Sequence, residues 1–118
     1  MKKLQNNFTT PEQSKRLLEL GVPEWTADLR YRICKVNDSI LGNPYLTKGK
    51  KYTGSHFNSS LPCWSVGRLI EILKECINNE DELIDIFVEL QYSNNLLTTV
   101  LMIFRDNKAI LDFSKLEE

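Results

Sequence analysis

Residues 83–104 read LIDIFVELQYSNNLLTTVLMIF, and the fold turns on whether they are helical or extended. The first half admits both. Leu83, Ile84, Phe87 and Val88 would share one face of a helix. The alternating template matches more positions: Ile84, Ile86, Val88, Leu90 and Tyr92 fall on one side, with Asp85, Glu89 and Gln91 on the other, as in a half-buried strand. Ser93-Asn94-Asn95 then reads as a tight turn, since asparagine tolerates a left-handed backbone. Residues 96–104 are apolar on both faces apart from Thr98 and Thr99, the mark of a central strand. Asp106-Asn107-Lys108 forms a second turn and Ala109–Phe113 a third strand, giving a C-terminal three-stranded antiparallel meander.

Upstream, Leu61-Pro62-Cys63-Trp64-Ser65 leads into an amphipathic helix. Ser65 is a good N-cap, and Trp64 before it can pack on Leu69 as a hydrophobic staple. Val66, Leu69, Ile70, Leu73, Cys76 and Ile77 follow helical spacing, with Arg68, Glu71, Lys74 and Glu75 opposite; this helix is expected to lie across the meander. Glu80-Asp81-Glu82 reads as a solvated turn. Near the start, Thr10 caps, Pro11 suits the first helical position, Gln13 completes a capping box, and Gly21 ends a helix over 11–20. Residues 22–27 make a turn or a single helical turn. Leu29–Cys34 alternates as a strand that Asn37-Asp38-Ser39 ends. Residues 41–60 show no sustained period, with a short strand placed around 50–53. The order is αββαβββ, an α+β fold, in one domain over 1–118 whose residues 1–9 form a flexible N-terminal segment.

The 118 residues suffice for a core without staples. No apolar run approaches a membrane span, and Met1–Asn7 lacks the apolar core of a secretion signal, so a cytoplasmic protein with no membrane partner is expected. Three cysteines, Cys34, Cys63 and Cys76, cannot all pair within one chain and contain no CxxC; free thiols in a reducing compartment follow. The net charge of −1 conceals a gradient. Residues 1–59 hold ten Lys or Arg against five Asp or Glu, and residues 60–118 hold five against eleven. Interleaved halves would mix these charges; segregated ones would make an interaction surface.

No constellation of residues points to catalysis. Cys63 with His56, the single histidine, lacks any nucleophile motif. Cys34, His56, Cys63 and Cys76 have the wrong spacing for a zinc site, and residues 49–55 lack the lysine order of a phosphate loop. No cofactor and no metal are expected. One candidate binding face remains: Arg30 and Arg32 on a strand, with Lys48, Lys50 and Lys51 between Tyr45 and Tyr52. Cations on phosphates and rings on bases can hold nucleic acid. A pI near 5.9 and the use of lysines to protect sheet edges argue the other way.

Two blocks are more particular: residues 8–23, FTTPEQSKRLLELGVP, and residues 61–73, LPCWSVGRLIEIL. Together they resemble small uncharacterised proteins of prophages and mobile elements in gut anaerobic bacteria. The resemblance implies that genomic setting and transfers no activity or catalytic residue. The reading is a non-enzymatic domain acting through protein contacts, with weak nucleic-acid binding as the alternative.

Overall fold

The structure is a computed structural model that describes residues 7–34, 36–47 and 60–116. Its regular elements are α1 (Pro11–Glu19), β1 (Leu29–Arg32), β2 (Tyr45–Leu46), β3 (Ser60–Cys63), α2 (Val66–Cys76), α3 (Glu80–Gln91) and α4 (Leu96–Asp106), with single 3-10 turns at Glu24–Thr26 and Phe113–Lys115. The fold is α+β, and among the described residues three strands precede all but one of four helices.

The first two helices begin where local chemistry places them. Thr10 Oγ1 accepts the Gln13 N–H at 3.2 Å and Gln13 Oε1 accepts the Thr10 N–H at 2.9 Å. Gly21 leaves α1 at φ +99°, a conformation that favours glycine. Ser65 Oγ accepts the Arg68 N–H at 3.1 Å at the head of α2. Asp28 in turn holds Ser65, accepting its backbone N–H at 2.9 Å and its hydroxyl.

The expected C-terminal meander is absent. Residues 83–91 lie in α3 with Tyr92 at its C-cap, residues 96–104 lie in α4, and residues 109–112 lead from a turn into the 3-10 element that Phe113 begins. The physical reason lies in the caps and the packing. Glu80-Asp81-Glu82 is the first turn of α3, where carboxylates favour the positive end of the helix dipole. Asn79 accepts the N–H groups of Asp81 and Glu82 at 2.8 and 3.2 Å. Asn95, expected in a hairpin turn, caps α4 by accepting the Thr98 N–H at 3.1 Å. The two-sided apolar character of residues 96–104 arises because α4 packs against α1, α2 and α3 together, burying Leu97, Val100, Ile103 and Phe104. Tertiary burial of this kind outweighs the few tenths of a kcal/mol per residue by which β-branched residues disfavour a helix.

The sheet has the order β2-β1-β3 and is antiparallel throughout. Leu29 pairs with Leu46 and Cys63, and Tyr31 with Leu61. Pro62 sits in β3, at the edge of the sheet formed by the described residues, where a missing ladder donor is tolerated. The expected strand near 50–53 lies outside the described residues. The largest core is formed by the helices around Trp64, Leu69, Ile72, Val100 and Phe104; a smaller one, of Tyr31, Leu61 and Cys63, lies on the sheet. At the end of the expected flexible segment, Phe8 bridges to Ser65, and Thr9 is fully buried.

Candidate protein-contact surfaces

The basic strand face is divided by the fold. Arg30 is buried and its guanidinium pairs with Glu24, while its Nε donates to Ser60 Oγ at 2.6 Å. A guanidinium so engaged is not presented to a phosphate. Arg32, two residues on, is exposed and lies 5.0 Å over the ring of Tyr45, within cation–π range. Lys48, Lys50, Lys51 and Tyr52 lie outside the described residues.

Cys63 belongs to a buried polar cluster centred on Thr9. The Thr9 hydroxyl accepts the Trp64 N–H at 3.1 Å, lies 2.7 Å from Ser14 Oγ, and can donate to Cys63 Sγ at 3.6 Å. The Thr9 carbonyl accepts from the Tyr31 hydroxyl at 2.7 Å and from the Cys63 thiol at 3.3 Å. Burial raises the Cys63 thiol above its ordinary value, and it pushes Cys76 up to about 11. Tyr31 is also raised, by burial first and by Cys63 second. Reactive cysteines are depressed instead, so Cys63 is placed as a packing group. His56 lies outside the described residues. Among the described residues no three His, Cys, Asp or Glu side chains are grouped to hold a metal ion.

The most distinctive surface is the outer face of α3. At 100° per residue, Ile86 and Leu90 point into the core, and both are buried. Ile84, Val88 and Tyr92 form a second apolar stripe on the far side, 60%, 49% and 79% exposed. Asp81, Asp85 and Glu89 run beside it, all exposed. The two stripes are offset by two residues, so together they produce the alternation at 84, 86, 88, 90 and 92. The pattern that read as a strand is thus two helical faces superimposed. No cation occurs in α3, whose five carboxylates concentrate much of the negative half of the chain.

A groove of about 470 Å³ runs between α1 and α4. Its apolar lining is Leu17, Leu20, Leu101 and Met102; Arg16, Arg105 and Lys108 stand along it with one acid, Glu19. Neither this groove nor the α3 stripe was foreseen from sequence. An i, i+4, i+8 reading of 84, 88 and 92 would have found the stripe. The groove needs the spatial pairing of helices eighty residues apart, for which the chain carries no local signal.

Among the described residues no helix is long and apolar enough to cross a membrane. Comparison with protein-family models, with curated proteins and with solved structures finds no match to this chain.

Proposed function

We propose that this protein is a non-enzymatic cytoplasmic domain, carried by a prophage or mobile element, that works by docking a partner protein on the outer face of α3. The observation that carries the reading is the stripe Ile84–Val88–Tyr92, placed opposite a face of the same helix that is already buried. Large apolar side chains scattered singly on a surface are ordinary; three in register on one helix face are the usual anchor pattern of helix-mediated recognition. The partner is an apolar surface carrying cations, because Asp81, Asp85 and Glu89 flank the stripe and would repel an acidic one. The genomic setting rests on the resemblance of residues 8–23 and 61–73.

The nucleic-acid alternative is weaker, since Arg30 is engaged with Glu24 and the carboxylates of α3 would oppose a phosphate backbone. A photo-crosslinking side chain at position 88, expressed in host cells, tests the proposal. A discrete protein adduct is expected, lost on Ile84→Glu and missing when the crosslinker stands at Glu71 or Glu75 on the exposed side of α2. Equal adducts from both helices, or nucleic-acid adducts from position 88, would count against it.

A further inference from the structure

We infer that the apolar, cationic surface on which α3 docks is the α1–α4 groove of a second copy of this chain, so that the protein associates head to tail. The inference rests on the reading of α3 as a docking face and names the partner of that face. Charge selects the pairing. A symmetric contact of α3 on α3 would set Asp81, Asp85 and Glu89 of two copies against one another. The groove offers the opposite balance, with Arg16, Arg105 and Lys108 against Glu19. Among the described residues Arg16 and Lys108 make no ion pair, and the partner of Arg105 is its exposed neighbour Asp106, an arrangement of little energetic weight. These cations can therefore turn to an incoming acid at small cost.

Shape agrees with charge. The stripe from Ile84 to Tyr92 spans eight helical steps, about 12 Å, and the groove between Gln13 and Leu20 or between Thr98 and Arg105 spans seven, about 10 Å. Met102, 43% exposed in the groove, is the side chain best able to adapt to branched and aromatic partners. The contact must form between copies, because α3 already packs on α4 of its own chain, with Ile86 and Leu90 buried in the core and the stripe turned away. The two surfaces differ, so the contact is heterologous and extends until a ring closes or an open chain grows. One helix in one groove buries less than the ~1,200 Å² of stable interfaces, so a dissociation constant on the order of 100 μM is expected.

Sedimentation velocity from about 10 μM to about 1 mM tests this, with association rising by mass action and weakening as salt is added. Two variants separate the surfaces: Asp85→Lys with Glu89→Lys on the stripe, and Arg16→Glu with Arg105→Glu in the groove. All four residues are exposed, and unchanged thermal melts will show that the fold is kept. Each variant alone is expected to stay monomeric. Mixed, they are expected to associate, since the intact stripe of one meets the intact groove of the other and the reversed charges of the second stripe and groove are also complementary. A wild type that stays monomeric throughout would overturn the inference, as would a mixture that fails to associate. Association lost in the stripe variant but kept in the groove variant would overturn it too. A monomeric wild type whose position 88 still crosslinks to a different protein would leave the α3 docking face standing and refute only the self-pairing. Absence of both results refutes both.

Discussion

Replacing Thr9 by valine keeps the shape of a fully buried side chain and deletes only its hydroxyl. That oxygen accepts the Trp64 backbone N–H at 3.1 Å and lies 2.7 Å from the Ser14 hydroxyl. Both partners are buried and have no route to solvent once the oxygen is gone. A buried polar group left unsatisfied costs about 1–3 kcal/mol, and the gain from burying a second methyl offsets part of two such costs. A net loss of about 3 kcal/mol is expected. Unfolding entropy of about 2.1 cal/mol/K per residue makes each kcal/mol worth roughly 4 °C in a chain of this length, so the melting midpoint falls by about 12 °C. Thr9→Ser is the control: it keeps the hydroxyl, removes one methyl, and costs about 1 kcal/mol. Melts followed by circular dichroism, with urea titrations to confirm a single transition, decide the matter. If Thr9→Val proves no more damaging than Thr9→Ser, the polar cluster does not tie residues 7–10 to β3 and α2, and the reasoning fails.

Trp64 is fully buried, and its Nε1 donates to Thr26 Oγ1 at 3.0 Å; Trp64→Ala is expected to cost about 3–5 kcal/mol, and a melt shifted by under about a degree would contradict it. Ile86→Ala should cost about 2–4 kcal/mol and Val88→Ala under about 0.5, whereas a strand with both on one buried face would make the two alike in urea titrations. In the native state a thiol reagent should label Cys34 well before Cys63 and Cys76, which are buried and held protonated. Because the Cys76 value is raised on folding, its contribution to stability is whole below 9 and is lost as pH climbs through about 11. Short DNA and RNA duplexes and single strands are expected to bind no tighter than about 10 μM at about 150 mM salt, far weaker than a specific site; fluorescence anisotropy showing sub-micromolar, selective binding would reverse the order of the two functional readings.

The capping box at Thr10 and Gln13, the Ser65 cap, the stop at Gly21 and most of the buried face of α2, though not Ile72, were legible in the chain. Each depends on groups within about four residues of one another, and such contacts form in the same way whatever surrounds them. The α+β class holds, although three of the strands that carried it are helical or turn; of the expected strands only Leu29–Arg32 is found among the described residues. Tertiary structure decided everything that depends on which side of a residue meets the core. Apolar residues at 84, 86, 88, 90 and 92 satisfy a strand with one buried face and equally a helix with one buried face and one bare one. Periodicity cannot separate these, because a helical offset of two residues turns a side chain by about 200°, close to the 180° of a strand. Only packing on α4, with Ile84, Val88 and Tyr92 left exposed among the described residues, determines that Ile86 and Leu90 are core. The groove is decided at the same level, since Leu17 and Leu101 become neighbours only when burial of α4 brings distant segments together.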